Sequence, residues 1–257
     1  MWGNVPELRT VIASATMRLF SPLLLHVLLL LSVLLPMASR AQHLTYNEWM
    51  HRSLTDIRLQ PRYGEHRKTA AQQQSDSAFR AATLIVDSVP RSASQRVIDH
   101  GFHLLGQGDL THAMYRFNQG WLVDSTNAEA YWGYGAFFME LDRPAVAMQW
   151  MRQGLALDSA NTHLLTGMAT AALAEEHAMR PLDASRADDL MNAALALLQR
   201  SYAIDPKDPG TVRRLTLCHA QRDECDEAWR YYDELREQAP NEADTDLARL
   251  LRSKCPH

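Results

Sequence analysis

Small and large apolar residues recur along the middle of the chain at a constant interval of 34. Gly101 pairs with Gly135 in this way, Ala113 with Ala147, Phe117 with Met151, Gly120 with Gly154 and Asp124 with Asp158. A fixed period of this size marks stacked supersecondary units rather than one closed core. Within a period the spacing is helical: Tyr131, Tyr134, Gly135 and Phe138 fall on one face. Arg143-Pro144 then opens a second helix, since proline is tolerated in a first turn. Ala147, Met151 and Gly154 form a small–large–small stripe on it. Small residues are needed where helices cross closely, and large ones fill the space beside them. Residues 94–127 repeat the pattern with Val97, Gly101 and Leu104, a turn at Gly108-Asp109, then Ala113, Phe117 and Gly120.

Two further units are less regular. Residues 162–208 start with Leu165, Met168, Ala169 and Ala172, but Ala194, Leu198 and Ser201 arrive late. Asp158 to Asp205 spans 47 residues, so this unit carries 13 extra, placed around Glu176–Asp188 and containing Pro181. Ser185-x-x-Asp188 reads as a capping box that restarts the helix. Residues 209–242 carry Val212, Leu215, Ala228, Tyr232 and Leu235, and 243–257 read as a capping helix and tail. Asp244 and Asp246 in its first turn and Arg252 and Lys254 in its last suit the helix dipole. Residues 42–93 lie outside the repeats. Thr45-x-x-Glu48 is a capping box before Trp49, Met50 and Leu54. Residues 60–64 read as a loop, 68–87 as a helix with Ala78, Phe79, Ala82, Ile85 and Val86 on one side, and 88–92 as a linker.

This arrangement resembles the tetratricopeptide repeat family over residues 94 to about 254. The resemblance implies an all-α, right-handed solenoid of four helix-turn-helix units with a C-terminal cap. Thr216 and His219 stand where the family prefers glycine and an aromatic, which implies looser packing of the fourth unit. Tyr115-Arg116-Phe117-Asn118-Gln119-Gly120-Trp121 and Tyr131-Trp132-Gly133-Tyr134-Gly135 resemble a signature of small exported bacterial tetratricopeptide proteins.

In that family the first helix of each unit lines a concave groove. With the repeat glycines facing the partner helix, Ile98, Phe102 and Leu105 point inward from the first unit, and Trp132, Ala136 and Met139 from the second. Thr166, Thr170 and Leu173 follow in the third, then Arg213, Leu217 and Gln221 in the fourth. Half of the groove is apolar and half mildly polar, as peptide or amphipathic-helix recognition requires. Ile98, Phe102, Trp132 and Ala136 occupy the places where a carboxylate clamp would need Lys, Arg and Asn. The competing reading of such aromatics is core packing. A third possibility is that Trp49, Met50 and Leu54 fill the chain's own groove.

Composition then narrows the setting. Leu19–Leu35 is almost wholly apolar, Met17-Arg18 precedes it, and Ser39-x-Ala41 follows as a small-x-small site. Residues 1–41 therefore read as a signal peptide cut before Gln42, with Met17 the suspected start; an uncleaved anchor is the rival. Loss of Glu7, Arg9, Arg18 and Arg40 leaves 23 basic and 29 acidic residues, a net charge of −6, against a nucleic-acid partner. No membrane span remains after cleavage, and the destination is periplasmic or secreted. Cys218, Cys225 and Cys255 all lie near the C-terminus. In an exported chain they permit one disulfide and one leftover thiol. Cys225, at the last interhelix turn, and Cys255, at the end of the cap, make the favoured pair, with Cys218–Cys225 the alternative.

Catalysis finds little support. No GxSxG, Walker-type, HExxH or dinucleotide fingerprint occurs. His100, His103 and His112 are the best metal candidates, two of them one helical turn apart, yet surface histidines explain them more simply. Glu175-Glu176, Asp188-Asp189 and Asp223-Glu224 read as solvated helix ends. The sequence thus points to a non-catalytic scaffold without metal or cofactor, binding a protein or peptide. The alternatives are a metal-dependent module on the three histidines and a structural subunit with its groove self-filled.

Overall fold

A computed structural model describes residues 44–256; the expected signal segment, Met17 and the cleavage point lie outside them. Eleven α-helices and no strand occur among the described residues. In chain order they are α1 (Tyr46–Ser53), α2 (Ala70–Val86), α3 (Pro90–Gly106), α4 (Leu110–Val123), α5 (Glu129–Glu140) and α6 (Pro144–Leu157). Then come α7 (Thr162–Met179), α8 (Ala184–Ile204), α9 (Pro209–Gln221), α10 (Cys225–Gln238) and α11 (Thr245–Lys254). From α3 onward they stack as consecutive pairs, α3/α4 through α9/α10, with α11 packed on the last pair. Three of the four interhelix turns share one left-handed residue: Gly108 at φ 78°, Asp142 at φ 55° and Asp223 at φ 57°. Glycine and aspartate tolerate that region better than most residues.

The periodic glycines mark close helix crossings. A Cβ at Gly133 would come within 2.4 Å of the Phe117 ring, and one at Gly101 within 2.6 Å, so Phe117 fills the space both leave. Gly135 likewise faces Met151, and Gly154 faces Leu164. In the third unit Ser201 takes the small position, its hydroxyl joining those of Thr166 and Thr211 at 3.0 and 3.1 Å.

Several expectations need correction. The proposed linker 88–92 is half helix: α3 starts at Pro90, and Arg91 bonds Thr126 and Asn127 and pairs with Asp124. The 13 extra residues go chiefly into the helices on either side of a turn at 180–183, lengthening α7 to 18 residues and α8 to 21. The cap of α8 is Asp183, whose side chain accepts from the Arg186 amide, rather than Ser185. Glu176 is no solvated helix end: it is buried, bonded by Arg180 and Gln221. In the fourth unit Thr216 is buried with its hydroxyl on the Val212 carbonyl, and His219 replaces the missing aromatic by stacking on Tyr231. Helix α2 forms, but none of its residues is buried, and Ile85 and Val86 are 86% and 77% exposed.

The C-terminal end is stapled. Cys225 and Cys255 are joined, with Cα atoms 5.2 Å apart, and Cys218 is free and buried. Leu247, Ala248 and Leu251 of α11 cover the last repeat, while its charged face points outward.

Residues 44–66 are more structured than a loop with a short helix. The capping box of Thr45 and Glu48 starts α1. Two 3-10 turns follow, at Ile57–Leu59 and Pro61–Glu65. Arg62, Tyr63, Gly64 and Glu65 all have positive φ, and three of them are not glycine. Such residues cost about 1–3 kcal/mol each and persist only where their surroundings over-determine them. Here Asn118 of α4 donates to the Arg58 and Gln60 carbonyls at 2.8 and 2.9 Å. The Tyr134 hydroxyl donates to Asn118 and accepts from the Arg62 amide. Asn118, of the Tyr115–Trp121 segment, and Tyr134, of the Tyr131–Gly135 segment, thus form the seat of the N-terminal extension.

Candidate functional site

The first helices of the pairs lie side by side, α3 against α5, α5 against α7 and α7 against α9, and their half-exposed residues form one continuous face. Its centre is an aromatic stack. The Trp132 ring lies 3.9 Å from Phe102 and 4.4 Å from His163, the latter pair nearly parallel. Phe102 leans in turn on Phe117 beneath. Leu105, Ala136 and Met139 flank this stack, also half-buried. Phe102 is therefore both core support and groove surface.

Ile98 departs from expectation. It is fully buried, pressed against Gly120 of the partner helix, and inaccessible to a ligand. Thr166 is buried in the hydroxyl trio with Ser201 and Thr211. Leu173 and Leu217 are half-buried against the C-terminal core. Arg213 is committed to the cap, pairing with Asp244 at 2.9 Å and donating to the Glu242 carbonyl. Gln221 donates to Glu176.

Two groove residues escaped sequence reasoning. His163 bonds Glu129 through Nδ1 at 3.0 Å, and that bond raises its pKa. Glu129 and His163 are themselves 34 apart, the same register in successive units, a signal the apolar pattern does not carry. Asn161 donates to Glu129 at 2.7 Å just as Asn127 donates to Gln95 at 3.3 Å, so one polar lock recurs between units. Arg214 spans two first helices, its Nε donating to the Thr170 hydroxyl at 2.6 Å and Nη1 to the Gly210 carbonyl at 2.9 Å. Burial is the largest influence on its pKa and lowers it. The groove thus runs from an aromatic centre to a guanidinium.

The N-terminal segment does not occupy this groove. Trp49 packs edge-on to Phe138 at 5.1 Å and donates to the Leu59 carbonyl. Met50 and Leu54 remain exposed beside Trp150 of α6, on the second-helix side. The reading of a self-filled groove is overturned by that placement. The three histidines do not converge either: all are exposed, His112 bonds Asp109, and His103 contacts Gln107. Among the described residues no three His, Cys, Asp or Glu side chains form a metal-holding group, and no helix is long and apolar enough to cross a membrane.

No protein-family model and no curated protein matches the chain. Among solved structures it is similar to TTC0263, a thermophilic TPR protein of Thermus thermophilus, at 18% identity, covering 63% of this chain and 83% of that one with a TM-score of 0.56. It also aligns with YrrB, a TPR protein with an unusual peptide-binding site, at 18% identity over 70% and 94% of the two chains, TM-score 0.43. A third is MamA of Desulfovibrio magneticus RS-1, at 13% identity over 65% and 96%, TM-score 0.43. The likeness to the Thermus protein shows the fold: a tetratricopeptide α-solenoid.

Proposed function

We propose that this chain is a non-catalytic scaffold that binds a protein or peptide segment in the face formed by its first helices. The observation that carries this reading is the Phe102–Trp132–His163 stack, which runs across three successive units with its edges half-exposed. Aromatic surface held rigidly beside a cation is the composition enriched where proteins meet. A bound segment places an apolar or aromatic side chain against Trp132 and Met139 and a carbonyl or carboxylate towards Arg214.

We further propose that it works outside the cytosol. The signal-like segment 1–41 and the Cys225–Cys255 pair support this, because disulfides persist in oxidising compartments. N-terminal sequencing of protein recovered from the cell envelope should then begin at Gln42.

A displayed library of random peptides, selected on the purified protein, tests the groove. We expect enriched sequences that share an aromatic or large aliphatic residue. Trp132→Ala, with its helical content checked by circular dichroism, should weaken them by about 2 kcal/mol or more, the loss of a buried interface anchor. Equal affinity of folded wild type and variant would remove the groove from consideration.

A further inference from the structure

On the second-helix side, the extension and α4 enclose a cleft of about 410 Å³ that the groove does not use. Tyr63 lines it. The residue is only 6% exposed, and its hydroxyl makes no hydrogen bond to the described residues. The Lys68 ammonium sits 3.3 Å over the Tyr63 ring and pairs with Asp76. Across the cleft, Asp56 holds Arg58 through two bonds of 2.8 Å. Phe79, Ile57 and Leu122 supply an apolar wall.

Two properties define what fits. The charges cancel, two cations against two carboxylates, so neither a free anion nor a free cation is favoured. Yet each ion pair keeps spare capacity: Arg58 has an uncommitted Nη1, Lys68 two further N–H groups and Asp76 a second oxygen. With the Tyr63 hydroxyl these donors and acceptors converge beside the apolar wall. The left-handed turn at Arg62–Glu65 is what carries Tyr63 there. Strained backbone held so firmly clusters at ligand sites.

We propose that this cleft binds a neutral polyhydroxylated molecule of monosaccharide size. Its C–H face would lie on Phe79 and Leu122, and its hydroxyls would meet Tyr63, Lys68, Asp76 and Arg58. The volume is within the range of small-molecule pockets. The sugar is either free or the end of a longer glycan, which present the same chemistry here.

Saturation-transfer NMR on the purified protein tests this, with glucose, galactose, N-acetylglucosamine and maltotriose as probes and glycine betaine and citrate as charged controls. At least one neutral sugar should bind, with a Kd of about 1 mM or below. Tyr63→Phe should weaken it about tenfold. Ser75→Trp, on the exposed face of α2 at the same cleft, should abolish it by filling the space even if the first variant folds poorly. Trp132→Ala should leave it unchanged. Tighter binding of maltotriose than of glucose identifies a glycan end, and the reverse a free sugar; both support the cleft. The proposal is overturned if no sugar saturates, if betaine or citrate binds in preference, or if neither cleft variant changes the affinity.

Discussion

At the scale of single residues, the helix crossings turn on a few atoms. Phe117 occupies the space that Gly101 and Gly133 leave, and neither glycine can gain a methyl group without pushing that ring. Gly133→Ala should therefore destabilise the fold by about 1–3 kcal/mol, the usual cost of overpacking. The urea midpoint should fall with an unchanged slope; an unchanged midpoint would mean that the ring simply slides aside. Gly101 was legible because Gly135 repeats it in the next regular unit. Gly133 was harder to read, because one period earlier the chain has Asp99, and its only glycine counterpart, Gly167, lies in the irregular third unit. Ile98 was misplaced for a different reason. Helical spacing separates one face from another but not the edge of a face from its centre, and the bare Gly120 draws Ile98 into the helix interface.

Among the elements, helix pairs and caps were readable wherever the period held. The Pro144 entry of α6 and the α11 cap both fall where residue chemistry put them. The inserted segment and the extension were less readable because their partners are distant in sequence. Nothing local to residues 60–65 announces a left-handed turn; it exists because Asn118 and Tyr134 hold it from 58 and 72 residues away. At the other end, α11 depends on a covalent tie. Its loop of 30 residues implies about 3.6 kcal/mol of stabilisation through the unfolded chain. Cys255→Ser should lower the melting temperature, and added reductant should lower the wild type to match. If reductant affects neither, the pair is not formed in solution.

For the molecule as a whole, acid should loosen the extension. Arg58, by hydrogen bonding, holds the Asp56 carboxyl down to about 2. Its unfolded value is about 3.9, so the stabilisation is complete above that value and is lost as the pH falls towards about 2. We expect Trp49 fluorescence to shift between about pH 4 and 2. Asp56→Asn should remove that transition, and a transition surviving the substitution would assign it to another carboxylate. The placement of the extension has a mechanical consequence as well. By gripping α4, α5 and α6 from outside, through Asn118, Tyr134 and Gln153, it splints the first two units into one stiff arm. The described residues include no such splint across the third and fourth units. A solenoid braced on one half yields where its packing is sparsest, and that joint lies between α8 and α9, where Arg214 reaches back to the Thr170 hydroxyl of α7. Any widening of the groove would then register as a change in that one guanidinium contact.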